Sequence, residues 1–200
     1  MVIDFGDGME FEATFNGFTP IVFSRTFSVE KPNGATRPKD INEDVGMIVE
    51  TMKSCGMPSM TALLEIAYAC IKTAKPRWGL GFDKWVKSLP PAAFDLQKGD
   101  GWAADVMGIV EDNFFLQRPM EWKPRPPKQP APPLPSNLSD ACDARYLYNC
   151  QQCGLSITDL QQLSFRQVKD LLEIHAFYAD AVANYEEDEK ARKAEAAFWG

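Results

Sequence analysis

Eight of the 15 prolines fall between Arg118 and Ser139, and the stretch from Trp122 to Asp140 reads WKPRPPKQPAPPLPSNLSD. Each proline fixes φ and removes a backbone donor, so neither a helix nor a strand is expected at that density. The segment reads as a semi-rigid, extended spacer. That divides the chain into a module over 1–117, a tether over 118–139 and a second module over 140–200. Charge follows the same division: the modules are each net −5 and the tether is net +3, within a total of −7. A solvated linker is the plain reading of the tether. A recognition peptide for a polyproline-binding domain is the sharper one, because PRPP and PPLP resemble such ligands.

The pI of about 4.8 argues against a nucleic-acid partner, which calls for a basic face. The best apolar run, ALLEIAYACI at 62–71, is about half the ~20 residues that span a bilayer and contains Glu65, so no membrane partner is expected. No signal peptide is visible at the N-terminus. Five cysteines, an odd number, fit free thiols in a reducing compartment.

The fold class expected is mainly α with a small N-terminal β-hairpin, an α+β arrangement. Val2–Phe5 and Met9–Phe15 flank the turn sequence Gly6-Asp7-Gly8, and Phe11, Ala13 and Phe15 alternate with polar residues. The segment 18–31 is ambiguous between strand and helix, and 32–40 reads as a loop. Helical spacing then takes over. Val45, Ile48, Val49 and Met52 mark a helix over 41–55 with Asn42 as its cap, and 59–74 follows with Leu63, Ile66, Ala67, Cys70 and Ile71 on one face. A short amphipathic piece at 81–89 and a helix over 99–117 complete the first module. In the second, 139–154 is capped by Ser139 and stopped by Gly154, and 156–163 opens on a Ser156/Asp159 capping box. A last helix begins at Ser164 with Gln167 in the box position. Its apolar stripe is Phe165, Val168, Leu171, Leu172, Ile174, His175, Tyr178 and Val182, and beyond Tyr185 it becomes a charged, alanine-rich tail ending in Phe198 and Trp199.

Candidate chemistry is sparse. His175, the single histidine, sits within that stripe and reads as a core or boundary residue. Cys142, Cys150, Cys153 and His175 could make a three-Cys, one-His zinc site, but only one cysteine pair is close, and free thiols are the plainer account. Glu43/Asp44, Glu111/Asp112 and the acidic run at 186–189 read as helix surface charge. No phosphate-binding spacing occurs, and 154–172 is only superficially like a helix-turn-helix. Neither an enzyme nor a cofactor is expected. The residues left over are adhesive. Phe114, Phe115, Trp122, Phe198 and Trp199 lie at module ends or in the tether, which makes them candidate partner-binding residues, with docking inside the chain as the alternative.

The opening MVIDFGDGMEFEATF, the pair ALLEIAYACIKTA and GFDKWVKSL, and LSFRQVKDLLEIHAFYADA before a charged tail together resemble the tail assembly chaperones of long-tailed bacteriophages, in the form extended by a translational frameshift. The likeness is one of architecture across most of the chain, and the long Pro-rich tether is an elaboration on it. It implies a non-enzymatic factor acting in the host cytoplasm and absent from the mature virion. The first module would bind the tape measure protein and the second would recruit the major tail tube protein; self-association is a further expectation. The tether would hold both modules at high effective concentration. The competing reading is a scaffold or adaptor that binds partners through its Pro-rich tether.

Overall fold

The computed structural model describes residues 1–95, 101–115 and 134–199, except for the side chains of 181–188, 191–192 and 194–199. The architecture is mainly helical with a small N-terminal antiparallel hairpin, as the sequence patterns predict, and a second small hairpin that they do not. Strands β1 (Val2–Asp4) and β2 (Glu10–Glu12) pair in the register Val2↔Glu12, Ile3↔Phe11, Asp4↔Glu10. Their turn uses Gly6, Asp7 and Gly8 at positive φ, and the Asp4 carboxylate accepts from the Gly6 N–H at 2.8 Å.

The ambiguous segment resolves into helix α1 (Thr19–Thr26), opened by Pro20, and strand β3 (Ser28–Glu30). Where a plain loop was expected, β3 pairs with β4 (Thr36–Pro38) around a turn closed by Lys31 N–H to Ala35 O at 2.8 Å. Helix α2 (Ile41–Cys55) is capped by Asp40, not Asn42. Asp40 and Glu43 form the reciprocal box, and Gly56 at φ 73° ends the helix.

Helix α3 (Met60–Ala74) is the central element. Residues 62–64 and 66–71 are all buried, so it packs on every side. Helix α4 (Phe82–Ser88), a short 3₁₀ turn (Pro91–Phe94) and helix α5 (Trp102–Val110) close round it. Trp85 is fully buried among Phe5, Phe11, Tyr68, Trp78 and Phe82, with ring centroids 5.4–6.3 Å apart. These offset and edge-on pairs add to the burial of large apolar area. Two polar tips in this cluster are satisfied: Tyr68 OH donates to Leu80 O at 2.7 Å and Trp102 Nε1 to Ala93 O at 2.8 Å. Helix α5 runs directly into a π-helical turn, Glu111–Phe115.

Most of the tether lies outside the described residues. At its trailing end, α6 (Ser136–Ser139) forms one helical turn immediately after Pro135, where proline suits the entry to a helix. Then come α7 (Cys142–Gln152), α8 (Ile157–Gln162) and α9 (Phe165–Trp199). Gly154 at φ 78° ends the α7 segment and the Ser156/Asp159 box opens α8, both as expected.

These C-terminal helices do not stand apart from the first module. Ile21 of α1 shares a small apolar cluster with Cys150, Leu160 and Val168, while Phe165 joins the main core beside Phe15 and Phe114. Gly17 sits in the seam. Its N–H donates to Leu163 O at 2.9 Å and its carbonyl accepts from Tyr146 OH at 2.8 Å. Asn16 Nδ2 donates to Gln161 O at 2.8 Å, and Lys31 pairs with Asp140.

Candidate interaction surfaces

The five aromatic residues singled out from the sequence have different fates. Phe114 is buried, the alternative of docking inside the chain. The π-helical turn swings it inward, where its ring lies 5.8 Å from that of Phe15 and 5.1 Å from that of Phe165. The Lys169 ammonium sits over both Phe114 and Phe165, at 5.9 and 5.8 Å. Partial burial lowers the pKa of that lysine. Phe115, one residue on, is exposed. Trp122 and the side chains of Phe198 and Trp199 lie outside the described residues.

The stripe of the last helix also divides. Phe165 and Val168 are buried and Leu172 is half-buried, so the first two turns of α9 dock on the body. Leu171, Ile174, His175, Phe177 and Tyr178 are exposed, because the helix leaves the body there. His175 is therefore a surface residue rather than a core or boundary one. At about 1.5 Å per residue the 35-residue helix is roughly 52 Å long.

Three exposed methionines were not apparent from periodicity. Met47, Met52 and Met57, on α2 and the turn after it, are each 40–42% exposed. The Met47 sulfur accepts from the Ser59 hydroxyl at 3.3 Å, which places it beside the start of α3. Flexible, polarisable thioethers suit a surface that must fit irregular apolar partners. The helical pattern puts Val45, Ile48, Val49 and Met52 on the inner face, but of these Val45 and Ile48 are buried, Val49 is half-buried and Met52 is exposed.

The cysteine and histidine candidates are not brought together. The Cys142 thiol donates to Ser24 Oγ at 3.3 Å, Cys150 is buried in the small cluster, and His175 is out on α9. Among the described residues, no group of three His, Cys, Asp or Glu side chains is placed to hold a metal ion. Burial raises the pKa of both Cys150 and Cys153, the reverse of what an activated thiolate needs. A cleft of about 640 Å³ between α1 and the end of α3 is lined by Phe18, Val22, Arg25, Lys72, Thr73 and Pro76 among others. Its lining includes no carboxylate, histidine or cysteine.

Sequence reading also missed a buried charge cluster. Asp44, expected on a helix surface, is fully buried. Lys39 Nζ lies 2.5 Å from Asp44 Oδ1 and 2.7 Å from Glu65 Oε2, so one ammonium serves two carboxylates. Burial opposes the charge on Lys39, but hydrogen bonds to Asp44 and Glu65 outweigh it and raise the lysine pKa. Burial pushes the Asp44 carboxyl up to about 7, against the pull of Lys39.

A scan against protein-family models, a search of curated proteins and a search of solved structures each returned no match. Among the described residues no helix is long and apolar enough to cross a membrane.

Proposed function

We propose that the chain is an assembly chaperone of the long-tailed phage type, acting in the host cytoplasm and absent from the finished virion. The body over 1–115 covers the apolar faces of a tape measure protein, and the C-terminal helices recruit the major tail tube protein. The observation that carries this reading is the exposure of three methionines, Met47, Met52 and Met57. Large, pliable apolar side chains left open on the body gain most by covering a long, irregular apolar client. The architectural likeness of the sequence to that chaperone family supplies the identity of the client. Displacement of the chaperone is driven by polymerisation of tube protein along the tape, so no nucleotide is required.

The test is co-expression of the full chain with the tape measure and tube proteins encoded beside it. The wild-type chain is expected to keep the tape measure protein soluble. A Met47→Glu, Met52→Glu, Met57→Glu variant, checked as folded by circular dichroism, is expected to lose that effect. If the wild-type chain leaves the client insoluble, or the triple variant protects it equally well, the reading fails.

A further inference from the structure

We propose that the exposed stripe of α9 is a self-association seam, through which two copies of this chain pair as a short parallel coiled coil. Leu171, Ile174 and Tyr178 are 38%, 52% and 63% exposed and follow the 3-4 spacing of a heptad seam, in positions a, d and a. The sequence carries that spacing on through Ala181 and Tyr185. At 100° per residue, the stripe lies roughly 120° around the helix from the face formed by Phe165, Val168 and Leu172, which docks on the body. A partner helix can therefore be accommodated without undocking α9. Phe177, 42% exposed with its ring centroid 5.5 Å from that of Tyr178, widens the apolar area on one flank.

Two features favour a second copy over an unrelated helix. Such a seam is self-complementary in register, because each layer meets its own equivalent: Leu171 with Leu171, Ile174 with Ile174, Tyr178 with Tyr178. The flanking positions also match. Asp170 occupies g and His175 the following e, both exposed. In a parallel pair, g of one helix faces the next e of the other. Asp170 then accepts a hydrogen bond from His175 of the second copy, twice by symmetry, and the imidazole can donate it whether neutral or protonated. An antiparallel pair would lose both of these matches. The inference stands apart from the chaperone reading, since it concerns a different surface and needs no client.

Sedimentation velocity of the full chain across the micromolar range is the test. The wild-type chain is expected to shift from monomer to dimer with rising concentration. Leu171→Glu with Ile174→Glu alters two exposed positions and is expected to stay monomeric while keeping its helicity. His175→Glu places like charges opposite Asp170 and is expected to weaken the dimer about fivefold, from two exposed pairs at roughly 0.5 kcal/mol each. Adding Asp170→Lys to it is expected to restore the dimer. A wild-type chain that remains monomeric at every concentration overturns the proposal and indicates that an unlike partner covers the stripe. A dimer that survives the double glutamate variant also overturns it, and failure of the Asp170→Lys rescue overturns the parallel register.

Discussion

Replacing Asp44 with asparagine should change how stability depends on pH. In the folded chain two carboxylates share the Lys39 ammonium, and Asp44 has no exposed surface. Its pKa rises from an ordinary 3.8 to about 7, mainly through burial. A folded-state pKa above the unfolded one means that the folded chain holds the proton more tightly. The resulting stabilisation is fully present below pH 3.8, shrinks as the unfolded chain ionises above that value, and is gone once pH has risen through 7. The gap of about 3 pH units, at 1.36 kcal/mol each, sets a ceiling of roughly 4 kcal/mol. Only the part of that gap between pH 5 and 7 is sampled from pH 5 to 8, so a loss of about 2–3 kcal/mol is expected there. The assay is urea unfolding of both proteins at pH 5, 6, 7 and 8. Wild type should lose stability relative to Asp44→Asn across that series. A stability difference that stays constant from pH 5 to 8 would refute the reasoning. The complementary Lys39→Met leaves two carboxylates without their cation and should cost about 3–5 kcal/mol at pH 8. It should cost less at pH 5, where Asp44 is protonated.

Other consequences can be checked by the same unfolding measurements. A Cβ at residue 17 would lie 2.6 Å from Val168 Cγ2 and 3.1 Å from Leu160 O, so Gly17→Ala should cost about 1–3 kcal/mol. It should also render the segment from 134 onward more sensitive to limited proteolysis. Tyr146→Phe removes the hydroxyl bond to Gly17 O and should cost about 1 kcal/mol. Phe114→Ala should cost about 3–5 kcal/mol, whereas Phe115→Ala, at an exposed site, should stay within about 0.5 kcal/mol of wild type.

Local signals in the sequence carried most of the secondary structure. Gly6-Asp7-Gly8 supplied the first turn, Ser156 and Asp159 the start of α8, and Gly154 the stop after α7, because these residues act on their own backbone neighbours. The second hairpin was not legible. Its strands are only three residues long and Pro38 sits within one of them, so neither alternation nor composition marks it. Asp44 and Met52 are misplaced for different reasons. Helical periodicity gives the spacing of a buried face but neither its width, which here takes in Asp44, nor the point where it runs out: Met52 shares the face of Val45 and Ile48, but every residue from 52 to 57 is exposed because the last turn of α2 overhangs the core. Asp44 could be buried because Lys39, brought up at the end of β4, meets it there, a tertiary contact with no local signature. The stripe of α9 was visible in sequence. What sequence could not supply was the point at which the helix leaves the body, which decides that Leu172 packs while Ile174 does not.

The seam at Gly17 bears on what a shorter product sharing the N-terminal module would be like. Translation that stopped before Cys142 would yield a body without Cys150, Leu160, Phe165 and Val168, the residues that cover Ile21, Phe15 and Phe114. The long and short polypeptides would then differ in more than the presence of an appendage. The short one would carry a freshly uncovered apolar flank and two backbone groups of Gly17 returned to water, so the two lengths would form distinct adhesive species from one and the same N-terminal sequence.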